Sequence, residues 1–290
     1  ATGGALSFAR RLDGMGLANV ETGVDAEHLR ARIQGIEQRL EQSVTQLLTS
    51  QGVTIHRGTG RLLGPNEVCV DTPNGVIEIT ADAIVLATGS RPRIPEWAPI
   101  DHERVLTTRD AYPPEQIPDH LVVVGSGVTG VEFVHMFASL GSEVTLIVSR
   151  QQVLPQKDPE AAALLEHNFL DRGVQLLKGA RATEILRKGQ SVTVHCSDGR
   201  IAQGSHALLA IGSDPNSQGL GLENTDIAID DDGYIQVDHN LRSSVPTIYA
   251  AGDLSGKLPL SSVAAMQGRK IAEHIMGLHE GREHRHLDYD

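Results

Sequence analysis

The segment HLVVVGSGVTGVEF, from His120 to Phe133, constrains this chain more than any other. Apolar, β-branched residues run directly into Gly125, Gly127 and Gly130, spaced G-x-G-x-x-G, and then into a helical pattern. A strand that ends on this spacing and opens a helix is the signature of a turn built to approach a dinucleotide pyrophosphate. Gly125 permits the tight turn, Gly127 lets the backbone come near the diphosphate, and Gly130 lets the helix lie close on the strand. Amides at the helix N-terminus receive the phosphate charge. Ser126, Val128, Thr129 and Val131 complete the turn. Glu132 is expected in the first helical turn, where a carboxylate favours the macrodipole without any ligand. The competing reading, a plain glycine turn, requires neither flanking element.

The surrounding pattern repeats that logic. Helix-like Val128 to Leu140, strand-like Glu143 to Val148, helix-like Asp158 to Arg172 and strand-like Val174 to Leu177 alternate, which predicts a parallel sheet covered on both faces. Upstream, Leu29, Ile33, Ile36, Leu40, Val44, Leu47 and Leu48 recur at spacings of three and four, so Asp25 to Gln51 reads as an amphipathic helix. A short strand is expected at Val53 to His56. A hairpin turning at Pro73-Asn74-Gly75 follows, then a buried strand from Ala83 to Ala87 ending at Thr88-Gly89. Downstream of the alternating elements, Ala182 to His206 is hairpin-like, and Leu258 to Gly277 reads as a last helix. The prolines of RPRIPEWAP and YPPEQIP place a domain boundary near Pro118, and a second crossing is expected around Leu241 to Pro246.

The 290 residues suit two medium domains, and 40% hydrophobic with 21% charged residues is ordinary for a globular chain. A formal net charge of −12 disfavours nonspecific attraction to nucleic acid or an anionic membrane surface. The two cysteines, Cys69 and Cys196, are far apart in strand-like segments, which implies no disulfide framework and a reducing compartment. With no apolar run long enough to span a bilayer and no basic-then-apolar leader, the expected location is cytoplasmic. The histidines near the C-terminus, His274, His279, His284 and His286, sit on a polar tail without metal-site spacing, so no metal is expected.

Four further segments lie in a telling order: IVLATGSRP (Ile84 to Pro92), GSDPNSQGLGLE (Gly212 to Glu223), IYAAGD (Ile248 to Asp253) and SSVAAMQGRKIAEHI (Ser261 to Ile275). Together with the glycine turn they resemble the flavoprotein pyridine nucleotide–disulfide oxidoreductases, the family of dihydrolipoamide dehydrogenase, glutathione reductase and soluble transhydrogenase. GSGVTGVEF, QQVLPQKD and GSHALLAIGSDPN look closest to its dihydrolipoamide dehydrogenase-like or quinone-reducing members. The resemblance implies an α/β fold with two Rossmann-like, three-layer nucleotide-binding domains. The NAD(P) domain (118–242) would be inserted into a partial, discontinuous FAD domain (1–117 and 243–290), with GSDPNSQGLGLE closing the nicotinamide domain.

It also gives particular positions work. Asp253 would accept hydrogen bonds from the ribityl hydroxyls of FAD, the competing reading being a carboxylate that caps the next helix. Thr88, Gly89 and Ser90 would pass close to the flavin nucleotide, although that segment alone fits a plain turn about as well. Gly60 would contact the adenine through its backbone, and Pro259, Leu260, Ser261 and Ser262 would lie beside the flavin diphosphate and ring. Ala182 and Gly212 match positions near the nicotinamide or its ribose. At the end of the second strand an Asp or Glu would bind the 2′-hydroxyl of NAD, whereas a nearby Arg accommodates the 2′-phosphate of NADP. Here the positions are Ser149 and Arg150, so the charge logic favours NADP over NAD. The alternative is that Arg150 is simply a solvated residue after a strand.

The chain departs from the family at both ends. It lacks the opening strand with its own G-x-G-x-x-G and the pair of redox cysteines, and Ala1-Thr2-Gly3-Gly4 resembles sequence just after that pair. HRHLDYD stops where an interface domain with a catalytic His–Glu pair would follow, so no catalytic residue is assigned. The expectation is an internal fragment of a homodimeric FAD-dependent NAD(P)H oxidoreductase. Hydride would pass from nicotinamide to flavin and onward to a disulfide, quinone or second nicotinamide. The competing reading is a noncatalytic NAD(P)-binding module.

Overall fold

A parallel sheet around the His120 strand organises one part of the structure, a computed structural model that describes residues 2–10 and 23–278. The described residues fall into two units. One takes the chain up to Leu47 and Pro92–Gly212, the other Leu48–Arg91 and the chain from Ser213 onward.

Two helices come first, α1 (Thr2–Arg10) and α2 (Ala26–Ser50). The apolar periodicity of α2 produces the expected helix, yet none of its residues is buried, and Leu40 and Leu47 are each 61% exposed. The expected strand at Val53 to His56 does not form. Its alternation is that of a strand, but among the described residues it has no ladder partner, and hydrogen bonding to a neighbour is what makes a strand.

The antiparallel strands β1 (Thr59–Gly64), β2 (Glu67–Thr72) and β3 (Gly75–Thr80) follow, and Thr72 pairs with Gly75 across the expected hairpin turn. Next come β4 (Ile84–Leu86), β5 (Ser90–Pro92), β6 (Val105–Thr107) and β7 (His120–Val124), then α3 (Val128–Leu140), β8 (Glu143–Val148), α4 (Pro159–Asp171) and β9 (Gln175–Lys178). Asp158 caps α4 by accepting from the Glu160 and Ala161 amides, both at 2.9 Å, with Pro159 at the first helical position. The remaining elements are β10 (Ala182–Lys188), β11 (Ser191–Cys196), β12 (Ile201–Gly204), β13 (His206–Leu209), β14 (Ser213–Pro215), β15 (Ile248–Ala250) and α5 (Ser261–Ile275).

In the first unit the order is β6-β13-β7-β8-β9, every pairing parallel. Side chains alternate across the sheet. Leu121 and Val123 pack with Val134 and Phe137 of α3 and Phe169 of α4. Val122 and Val124 face Ile185, Val192 and Val194 of the meander β10–β11–β12. The sheet is therefore covered by helices on one face and by an antiparallel meander on the other. Three layers result, and the run His206–Leu209 is wholly buried, as a central parallel strand should be. Burial pushes the His206 imidazole down to about 4, so it packs as a neutral ring, bonded to Gln116 at 2.8 Å and Ser205 at 2.9 Å.

The compact units divide the chain at other positions than the expected domains 1–117, 118–242 and 243–290. β6 precedes Pro118 but is bonded to β13, so the chain from Pro92 belongs with the glycine turn, and Pro113, Pro114 and Pro118 sit in a loop within that unit. The chain passes to the second unit again after Gly212. Proline marks a loop, and a loop within a domain uses the same residues as a linker.

The second unit contains β1–β3, the parallel pair β4 and β15, and α5. The two like-sounding strands are neighbours: Ile248 pairs with Ile84, Tyr249 with Val85 and Ala250 with Leu86. Their core is aliphatic, built from Leu62, Ile84, Leu86, Ile235, Ile248 and Leu254. The ring of His274 meets the edge of Tyr249 at 5.9 Å. His279, His284, His286 and the HRHLDYD tail lie outside the described residues. Among the described residues, no helix is long and apolar enough to cross a membrane and no group of three or more His, Cys, Asp or Glu could hold a metal ion.

Candidate nucleotide sites

The three glycines of the β7–α3 turn differ physically from one another. Gly125 has φ +110, a conformation costly for any residue with a Cβ, and an added Cβ would lie 2.3 Å from the Ala210 carbonyl oxygen. At Gly130 an added Cβ would lie 2.0 Å from the Gly125 carbonyl oxygen, so α3 starts close enough on the strand end to exclude any side chain. Gly127 is the N-cap of α3, with ordinary extended torsions (φ −69, ψ −175), and a Cβ there would meet nothing within 4 Å. Neither fold nor torsion requires glycine at 127. Open space in front of a helix N-terminus without a side-chain cap is what a diphosphate needs. Ser126 is buried behind this opening, Gly127, Val128 and Thr129 are exposed around it, and Gly130 and Val131 are buried beneath it.

Glu132 does not lie where the sequence reading put it. Helix α3 begins at Val128, its first turn holds no acidic residue, and Glu132 falls in the second turn, exposed. The dipole field acts mainly within the first turn, so the ligand-free explanation for this carboxylate loses its basis.

Strand β8 delivers Ser149 and Arg150, both exposed, at its C-terminal end, and the topology sets this end next to the glycine turn because β7 and β8 are adjacent parallel strands. The Arg150 carbonyl accepts from the Gly179 amide at 2.9 Å, which ties the residue's backbone to the end of β9. Beyond it, Leu154 adopts φ +49 and donates its amide to the Ser126 carbonyl at 2.8 Å. The loop after β8 is thus bonded to the glycine turn itself. Ala182 is buried at the start of β10, and Gly212, the last residue of the unit, accepts from the Arg93 amide at 3.0 Å.

The positions expected to serve FAD all lie in the second unit. Gly60 pairs with Val70 in β1. Thr88 and Gly89 follow β4, and Ser90 donates its hydroxyl to Asp253 Oδ2 at 2.6 Å. Asp253 sits in a 3-10 turn, Gly252–Ser255, after β15. It does not cap α5, whose N-cap is Leu260 without a side-chain bond, so the alternative reading of Asp253 as a helix cap is overturned. The two glycine-ended strands place their turns side by side, with a carboxylate between them held by a serine hydroxyl. An acceptor so placed suits a polyol. Pro259, Leu260, Ser261 and Ser262 are exposed at the start of α5.

Three positioning residues were not foreseen from the sequence. Asn216 donates its side-chain amide to the Thr88 carbonyl at 3.0 Å and its backbone amide to the Gly89 carbonyl at 2.9 Å, and its own carbonyl accepts from the Thr88 hydroxyl at 2.8 Å. Arg91 bonds the carbonyl of Pro215 at 3.2 Å and the Asn216 side chain at 3.3 Å. The segment after Gly212 braces the turn after β4. Gln267, buried in α5, accepts from the Gly252 amide at 2.7 Å and fixes the turn after β15. A buried Gln on an otherwise aliphatic helix face is the one available signal, since such a group needs a partner.

Comparison with known proteins identifies the family of the chain. The family model described as pyridine nucleotide-disulphide oxidoreductase matches residues 11–268. An NAD(P)H dehydrogenase (quinone) of Mycobacterium tuberculosis is 43% identical over 261 residues, 88% of this chain and 53% of that protein. A dihydrolipoyl dehydrogenase of Chlamydia pneumoniae is 36% identical over 248 residues, 86% of this chain and 52% of its own length. The crystal structure of LpdA from Mycobacterium tuberculosis superposes with a TM-score of 0.88 at 41% identity, covering 95% of this chain and 61% of that one. The chain spans about half the length of the curated relatives it matches. A family match over residues 11–268, most of the chain, makes this chain a member of the pyridine nucleotide-disulphide oxidoreductase family.

Proposed function

We propose that the whole protein is an FAD-dependent NAD(P)H oxidoreductase, in which the unit carrying the glycine turn binds NADPH and the other unit supplies part of the FAD site. The observation that carries this reading is Gly127, a glycine that neither torsion nor packing demands, at the mouth of a helix N-terminus. When bound, the nicotinamide supplies a hydride and the flavin accepts it. The chain's own residues bind and orient. Amides at the start of α3 receive the diphosphate. Ser149 stands in the family position where an acid would select NAD, and Arg150 beside it would meet the extra phosphate of NADP. Asp253, fixed by Ser90, accepts from the flavin's ribityl hydroxyls. Gly60, Thr88, Gly89 and Pro259 to Ser262 border the same nucleotide.

The onward acceptor is a small-molecule quinone, a disulfide or a second nicotinamide. Within this chain the cysteines are poor redox candidates, because Cys69 and Cys196 are both buried and free, and burial pushes the Cys196 thiol up, away from the reactive thiolate. The protein is further proposed to be cytoplasmic and homodimeric, with no role for nucleic acid or membrane. The test is the whole protein's absorption spectrum and NAD(P)H oxidation. Bound flavin and turnover with at least one acceptor class are expected. A flavin-free protein that oxidises neither nicotinamide with any of the three classes would sink the reading and leave a noncatalytic binding module.

A further inference from the structure

We propose that Glu166 is a positioning residue for nucleotide recognition, holding the loop after β8 in the shape that receives the ribose end of NADPH. The inference rests on the nicotinamide reading of the glycine turn and goes beyond it, since Glu166 lies on α4 and belongs to no nucleotide-binding motif. Its carboxylate is buried and used at both oxygens. Oε1 accepts the Val153 amide at 2.9 Å and Oε2 accepts the Lys178 ammonium at 2.7 Å.

Val153 is fully buried, so without this carboxylate its amide would lack a partner away from water. The next residue, Leu154, is the one in a left-handed conformation that bonds the Ser126 carbonyl of the glycine turn. Three residues before Val153 stands Arg150, whose carbonyl takes the Gly179 amide directly after Lys178. The loop that carries Ser149 and Arg150 is therefore fastened at three points: the end of β9, the glycine turn and Glu166. The first two are backbone bonds. Glu166 is the one side chain among the three, and through Lys178 it also bridges to the strand end that holds Arg150. Releasing Val153 loosens the segment between the two backbone anchors, Arg150 and Leu154, and the 2′-phosphate reader Arg150 stands at the start of that segment.

The test is calorimetric titration of the chain and its Glu166 variants with NADPH and NADH, alongside thermal melts. Glu166→Ala should weaken NADPH binding about tenfold and lower the preference for NADPH over NADH, because a buried amide loses its acceptor and the loop loses its anchor. Glu166→Gln keeps an oxygen for Val153 and should stay within about threefold of the parent. Glu166→Asp keeps the charge but is one methylene short, and should bind more weakly than Glu166→Gln. That comparison decides the matter even where the alanine variant does not fold. The proposal is overturned by an unchanged nucleotide preference in a folded alanine variant, or by an aspartate variant that binds as well as the glutamine one. A parent chain that binds neither nucleotide would contradict the underlying NADPH reading instead.

Discussion

Replacing Gly127 with valine should abolish NADPH binding while leaving the protein folded. The new Cβ meets nothing of the chain within 4 Å, and the torsions at 127, φ −69 and ψ −175, are open to any residue. The folding cost is then at most about 1 kcal/mol, the penalty for a poor N-cap in place of an adequate one. For a diphosphate the same change is severe, since the isopropyl group fills the volume where phosphate oxygens must approach the helix amides. A loss of more than about 100-fold, or ~2.7 kcal/mol, is expected in calorimetric titration. A thermal melt within a few degrees of the parent would separate lost binding from lost fold. Unchanged affinity would show that the mouth of α3 is not where the nucleotide sits.

Gly130→Ala should behave in the opposite way. Helix propensity alone predicts a gain of about 1 kcal/mol, because alanine is the better helix former. The structure reverses that sign. The added methyl would lie 2.0 Å from the Gly125 carbonyl oxygen, a backbone atom that cannot swing aside, and the start of α3 would have to move off the strand end. Overpacking of this kind costs on the order of 1–3 kcal/mol, and the upper part of that range is expected here because the neighbour is backbone. A denaturant titration checks it: a lower midpoint at unchanged slope is the expected outcome, and a raised midpoint would mean the turn is looser than described. Two glycines three residues apart thus fail for different reasons, one through the ligand and one through the fold.

The contrast shows how far the sequence could be read. Positions whose meaning is local were legible: the strand before Gly125, the helix after Gly127, the hairpin at Pro73-Asn74-Gly75, and α4 starting behind Asp158 and Pro159. What escaped depends on partners distant in the chain. Val53 to His56 alternates like a strand but finds no ladder, and α2 is amphipathic yet buries nothing. The prolines before Pro118 looked like a linker because nothing near them reveals that β6 pairs with β13, a hundred residues away. Helix α3 starts at Val128 as read, and Glu132, its fifth residue, already lies beyond the first turn. Asn216, Gln267 and Glu166 act through bonds to backbone amides or carbonyls elsewhere, and such bonds leave no spacing to recognise. Only for Gln267 and Glu166 does polarity on a buried surface hint that they hold something.

The central claim is that the β7–α3 turn with Ser149 and Arg150 forms an NADPH site. Its most direct test is calorimetric titration of this 290-residue chain with NADPH and, separately, NADH. A single saturable site that binds NADPH more tightly than NADH is the predicted result. A folded chain that gives no heat with either nucleotide, or that clearly prefers NADH, would contradict it.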